Sequence, residues 1–212
     1  MPSSVDSPSS PEKFWAWFAA NEARFRSIRR LDNEPLLDEI LAHLHAYSER
    51  LFFMIGGDPD GPTELIITAE GDKSAFGAVR ALVDAAPSLA SWNFIAFKPA
   101  GGCDFVCTWE GARIDVKRAW FRPILSKTNP KLFGLRMVCD EYVEALHDEF
   151  VSCAYVVLDT VLGELTAAGE VHDVDAGRTP AEPESEGYVR LPELPAFIAT
   201  QNAKAARAAA AC

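Results

Sequence analysis

The stretch 51-LFFMIGGDPDGPTELIITAE-70 decides the fold. Two short apolar runs flank DPDGP, a cluster of turn-forming residues, and this predicts a β-hairpin with a loop of five residues or slightly more. On its N-terminal side the period is helical. PLLDEILAHLHAYSERL (35–51) sets Leu37, Ile40, Leu41, Leu44 and Leu51 at helical spacing. KFWAWFAANEARFRSI (13–28) does the same with Phe14, Phe18, Asn21, Phe25 and Ile28. Ser9 or Ser10 offers an N-cap there, with Pro11 and Glu12 suited to the first turn, so this helix is expected to run to about Arg30.

Downstream the same alternation continues. GDKSAFGAVRALVDAAP (71–87) predicts a helix with Phe76, Val79, Leu82 and Val83 on one face, Asp72 as cap and Pro87 beyond its end. SWNFIAFKP (91–99), DFVCTWEG (104–111), RAWFRPIL (118–125) and KLFGLRMVC (131–139) read as strands. DEYVEALHDEFVSCAYVVLDTVLGEL (140–165) carries the longest helical pattern, with Tyr142, Leu146, Val151, Ala154, Val157, Leu158 and Val161 toward a core and Gly163 near its end. TAAGEVHDVDA (166–176) reads as an edge strand, GRTPAEPESEG (177–187) as a polar loop and LPELPAFIATQNAKAARAAAA (191–211) as a last helix. The expected class is α+β, with a largely antiparallel or mixed sheet of about six or seven strands. Its helices are two at the N-terminus, one between strand pairs, one long and one C-terminal. The expected organisation is a disordered tail over residues 1–10, one domain over 11–200 with a composition break near Glu110 dividing it into two halves, and an Ala-rich helical tail over 201–212.

At 212 residues and 49% hydrophobic, the chain can bury a substantial core. No apolar run reaches the roughly 20 residues that cross a bilayer, and MPSSVDSPSSPEK lacks the basic start and hydrophobic segment of a secretion signal, so no membrane partner and a cytoplasmic location are expected. Cys107, Cys139 and Cys153 lie in apolar stretches, as buried free thiols do.

Charge is informative by position. The formal net is −11; between Cys139 and Glu193 there are 14 acids and 2 bases, or −12, so the rest is nearly neutral. From Ala112 to Val138 there are 7 bases and Asp115 alone, or +6. Such adjacent blocks compensate each other in a fold, or one of them presents a charged face to a partner. Nucleic acid is a poor partner, because the net charge repels phosphates and no binding motif accompanies the basic block.

Catalytic signatures are missing: the sequence has no G-x-S-x-G, H-E-x-x-H, C-x-x-C or G-x-x-x-x-G-K-[ST]. No catalytic residue, cofactor or metal is assigned. His43 and His45 point about 200° apart on a helix, and Cys103 and Cys107 on one strand stand roughly 13 Å apart, too far for one zinc ion. Glu170, His172, Asp173 and Asp175 are the best local group of ligand-type residues, and they read better as a solvated edge strand.

Asn21 and Glu22 interrupt an aromatic stripe. Burying them unpaired would cost about 1–3 kcal/mol per lost hydrogen bond, so fixed partners are expected, either backbone of a neighbouring strand or an arginine of the basic block.

FWAWFAANEARF, LFFMIGG, TELIITAEG, APSLASWNFIAFKPA and LDTVLGEL together resemble an uncharacterised bacterial family of hypothetical proteins that opens F-W-x-W-F, then N-E-x-x-F, and carries W-x-F-x-A-F-K-P. The resemblance spans Phe14 to about Ile198 and implies a cytoplasmic bacterial α+β protein. It transfers no activity and no residue role.

Two functions from different classes follow. One is a non-catalytic interaction or regulatory protein that offers an acidic surface, with Asp140, Glu141, Glu144, Asp148 and Glu149 as candidate contacts, to a basic protein. The other is a small-ligand binder or enzyme with a cleft bordered by Trp15, Asn21, Glu22, Trp92 and Lys98. The opening aromatics could close a homodimer as readily as a core.

Overall fold

The computed structural model describes residues 10–25, 28, 33–58, 60–125 and 133–210. The expected disordered tail over residues 1–10 falls almost wholly outside them, as does most of the stretch through which the first helix was expected to reach Arg30. The fold is α+β, with six α-helices and nine strands among the described residues. The chain separates into two compact units, Met1–Lys98 and Pro99–Cys212. Glu110, the position of the composition break, falls in the tight turn between two strands of the second unit, where Glu110 and Gly111 both have positive φ.

In the first unit, α1 (Pro11–Phe25) and α2 (Glu34–Tyr47) precede a hairpin of β1 (Phe52–Gly56) and β2 (Thr63–Thr68). The carbonyl of Ser10 accepts from Lys13 and Phe14 at 3.0 and 3.2 Å, which starts α1 at the expected cap. The hairpin is antiparallel, as its turn residues predict, with Phe52 opposite Thr68 and Gly56 opposite Glu64. α3 (Phe76–Asp84) then carries the chain across, so β3 (Trp92–Ala96) joins β2 in parallel. A helical crossover is the ordinary way to connect parallel neighbours. Asp72 caps the turn that enters α3 by accepting from the Ser74 amide at 3.1 Å. The core gathers Phe14, Trp15, Phe18 and Phe25 with Ile40, Leu44, Leu65, Ile67 and Leu82. Four of the five opening aromatics therefore fill this unit's own interior. Leu37, on the expected apolar face of α2, is exposed, and Leu51 is buried beyond the helix end.

The second unit begins with a small hairpin, β4 (Val106–Trp109) and β5 (Ala112–Asp115). β6 (Trp120–Leu125) and β7 (Phe133–Cys139) pair antiparallel; α4 (His147–Leu162) and α5 (Glu164–Glu170) lead to β8 (Val171–Arg178), which lies parallel to β7. β9 (Val189–Arg190) adds to the free side of β6, giving the order β8-β7-β6-β9. α6 (Leu194–Ala210) is the last described element. The expected edge strand is indeed at an edge, but it starts at Val171. Residues 164–170 are helical: Gly163, at φ 75°, ends α4 and stands as the cap before α5. Among the described residues the Ala-rich stretch continues α6 as far as Ala210.

Phe121, Phe133, Leu135, Met137, Val174 and Ala176 point to one face, where they meet Phe150, Ala154, Val157, Leu158 and Val161 of α4. Phe197 of α6 sets its ring edge-on to Phe121 and Phe133, with centroids 5.6 and 5.8 Å away. By the two-residue pleat, Trp120, Arg122, Arg136, Asp175 and Gly177 must occupy the opposite face. No helix among the described residues is long and apolar enough to cross a membrane.

Candidate functional site

Of the residues expected to border a cleft, Trp15 and Trp92 both pack against Phe18 in the ring cluster of the first unit. Trp15 is buried and donates its indole N–H to the Leu82 carbonyl at 2.6 Å, which ties α1 to α3. Trp92 is buried too; its Nε1 has no hydrogen-bond partner among the described residues, and its ring meets Phe18 edge to face at 5.0 Å. Asn21 is half-buried. It donates to the Trp17 carbonyl at 2.9 Å and accepts from Arg24 at 2.9 Å, and Arg24 forks onto both carboxylate oxygens of Glu39 in α2 at 2.9 and 2.7 Å. The expected partners were a strand or the basic block; the observed ones belong to α1 itself, because a side-chain amide on a helix reaches the carbonyl four residues back without tertiary help. The hydrogen bond from Arg24 holds the Glu39 carboxyl below its ordinary value. Beside this network Trp17 stacks on His43 with centroids 3.7 Å apart. Glu22 is half-buried on the same helix. Lys98 pairs with Glu70 at 2.7 Å, at the end of β3.

The acidic candidates divide into two sets. Asp140 is paired with Arg118 at 3.0 Å and Glu141 with Arg113 at 3.2 Å, while Arg136 reaches Asp175 at 3.2 Å. The basic block thus compensates the acidic one. Glu144, Asp148 and Glu149 have no ion pair among the described residues. Asp148 and Glu149 stand in the first turn of α4, where negative charge also favours the helix dipole.

The buried thiols shift in different directions: the contact with Cys153 lowers Cys107. Burial, with the nearby Glu141 carboxylate, pushes Cys139 up to about 11, and Cys153 is pushed up by its contact with the Cys107 thiol and by burial. Thiols raised in this way stay protonated at neutral pH. No group of three or more His, Cys, Asp or Glu side chains among the described residues is placed to hold a metal ion.

A different cluster lies on the open face of the four-stranded sheet. The ladder sets Arg122 of β6 directly opposite Arg136 of β7, and Arg136 opposite Asp175 of β8. Opposite charges in that register contribute about 0.2–1 kcal/mol, and like charges cost stability. Arg122 lies over the Tyr188 ring at 4.9 Å and donates to the Glu186 carbonyl at 3.3 Å. Arg190 lies over the Trp120 ring at 3.8 Å and donates to the Arg118 carbonyl at 3.0 Å. Neither Arg122 nor Arg190 meets a carboxylate among the described residues. The Nε of Arg136 is buried without a hydrogen-bond partner among them. At the β8 edge, Asp175 comes within 3.8 Å of Nε2 of His147, whose Nδ1 is 2.9 Å from the Tyr142 hydroxyl.

This arrangement gathers positive charge and aromatic rings on one face of the sheet. The alternation of Trp120 and Arg122 in RAWFRPIL was visible in sequence. The partners that make it a face were not, since Arg190 comes from a two-residue strand and reaches the Arg118 carbonyl 72 positions away along the chain.

The fold and this face define an α+β protein with a compact arginine and aromatic surface. No family model, curated protein or solved structure matches the chain.

Proposed function

We propose that this is a non-catalytic interaction or regulatory protein of the bacterial cytoplasm, a member of the family its opening motif resembles, which presents an acidic surface to a basic protein. One observation carries the reading. After Arg113, Arg118 and Arg136 have met Glu141, Asp140 and Asp175, the acidic block still exposes Glu144, Asp148, Asp173 and the loop glutamates Glu182, Glu184 and Glu186 without ion pairs among the described residues. Relative to the expectation from sequence, the contact set moves away from Asp140 and Glu141, whose charge is spent inside the unit, toward Glu144, Asp148 and Glu149.

Native mass spectrometry of the gently purified protein, followed by binding measurements on the partner so identified, tests it. A basic protein at fixed stoichiometry is expected, with affinity that falls as salt rises and falls again in Glu144→Gln/Asp148→Asn/Glu149→Gln. Affinity indifferent to salt and to those substitutions would overturn the reading. A homodimer in the same spectrum would have to use a surface other than the buried opening aromatics.

A further inference from the structure

We propose that Cys107 of β4 and Cys153 of α4 form a reversible disulfide when the protein meets a hydroperoxide, which makes the pair a redox modification site. The inference goes beyond the acidic-surface reading and uses none of its residues. Its first support is the way the chain lies along α4. The Gly101 amide donates to the Thr160 carbonyl at 2.7 Å, the Cys107 thiol donates to the Cys153 carbonyl at 3.7 Å, and a Cβ on Gly111 would lie 3.6 Å from Leu146 at the N-cap of α4. Leu146, Cys153 and Thr160 follow one another at steps of seven, about two helical turns, so they share one face. Contacts on both sides therefore hold Cys107 against Cys153, and the two thiols are hydrogen-bonded to each other.

The second support is that the two thiols are unequal. Cys107 keeps an exposure of 7% on a strand whose Val106 and Thr108 are exposed, whereas Cys153 has none. The hydrogen bond from Cys153 favours the Cys107 thiolate, while Cys103 and Cys139 are both pushed up by burial. A thiolate is the nucleophile in thiol chemistry, so Cys107 attacks first and Cys153 resolves. In the first step the Cys107 sulfur bonds to one peroxide oxygen, the O–O bond breaks and the other oxygen leaves as an alcohol, or as water from hydrogen peroxide. In the second, the Cys153 sulfur attacks the Cys107 sulfenic acid, the S–O bond breaks and its hydroxyl leaves as water with the Cys153 proton. Two thiols are oxidised by two electrons and one hydroperoxide is reduced. The product fastens the β4-β5 hairpin to α4 until a dithiol reduces it.

The test is to treat the folded, reduced protein with dilute hydrogen peroxide, quench it in acid, unfold and alkylate it, and map the peptides by mass spectrometry. A peptide pair joined through Cys107 and Cys153, lighter by two hydrogens and lost on treatment with dithiothreitol, is expected. Cys103→Ser should form it as the parent does. Cys153→Ala should lose it and leave a Cys107 sulfenic acid that dimedone traps, whereas Cys107→Ala should lose both the cross-link and the trapped adduct at Cys153. The parent's own map decides the matter even if a core variant folds poorly. A principal cross-link between any other two cysteines would overturn the proposal. So would a parent in which Cys107 and Cys153 both remain open to alkylation after Cys103 has been oxidised.

Discussion

In Met1–Lys98, Arg24 and Arg50 are matched to carboxylates brought up by a neighbouring helix or turn, Glu39 and Asp72, whereas in Pro99–Cys212 the ladder places Arg122 against Arg136 and leaves Arg122 and Arg190 resting on aromatic rings and backbone carbonyls. The interiors differ in the same sense. The first core is built from rings packed against one another, and the second combines aliphatic side chains with three buried thiols. What the contrast teaches is that the first unit's polar contacts serve its own packing. In the second unit Arg122 and Arg190 reach no carboxylate among the described residues.

Substitutions can break or sharpen that contrast. The largest effect is expected from Phe18→Ala, which empties the centre of the ring cluster made with Trp15, Phe25, Trp92 and Phe94. A loss of about 3–5 kcal/mol in denaturant unfolding is expected; a loss below about 1 kcal/mol would mean that α1 is not part of a packed core.

Next comes the alkaline limb of stability in the second unit. In the unfolded chain Cys139 titrates near its ordinary value of 9.0, and in the fold at about 11. Between those values the unfolded state holds fewer protons, so stability falls as pH rises from about 9 to about 11 and is fully present below that window. The drop should be on the order of 2 kcal/mol. Cys139→Ala should flatten it when urea midpoints are followed against pH, and an unchanged slope would remove the burial argument. The first unit has the opposite dependence: Glu39 and Asp72 are held low, Glu39 chiefly by Arg24 and Asp72 chiefly by the Ser74 hydroxyl, so their contribution is present above the ordinary carboxylate range and is lost as pH falls.

A smaller change is expected at Asp72, which caps the turn into α3 and pairs with Arg50. Asp72→Ala should lower the unfolding midpoint, with Asp72→Asn recovering part of the loss. Calorimetry that finds no difference between the two variants and the parent would refute the capping role. The smallest effect belongs to Asn21→Ala. It removes a partly buried amide hydrogen bond, about 1 kcal/mol, but replaces Asn by the best helix former, worth roughly 0.5 kcal/mol in return. The net change should stay within about 0.5 kcal/mol, and a loss of several kcal/mol would show that the amide holds more than its own helix and Arg24.

That last figure is where sequence reasoning about the NE pair reached its limit. The spacing correctly puts Asn21 on the aromatic face of α1, yet the stripe cannot tell whether an amide is satisfied by a distant strand or by Trp17 four residues earlier. The elements with strong periodicity, α1, α2, α3, α4 and the β1-β2 hairpin, were legible because their buried faces repeat at 3.6 or 2 residues. β5 was missed because ARID is four residues with two charges. β9 was missed because two residues carry no period at all. α5 was hidden by Gly169 and by the alternation of VHDVDA that follows it. The candidate face depended on those very gaps: the strand RAWFRPIL could be read, and the neighbour that brings Arg190 over Trp120 could not.

The way each sheet draws on the chain has a consequence for synthesis. The first unit has all three of its strands once Ala96 is made, since β1, β2 and β3 come from a single stretch of the chain. The four-stranded sheet lacks β9 until Val189 and Arg190 appear, long after β6 has been made. During translation from the N-terminus the first unit can therefore complete its sheet while the second is still growing, and for most of that interval β6 has an open edge.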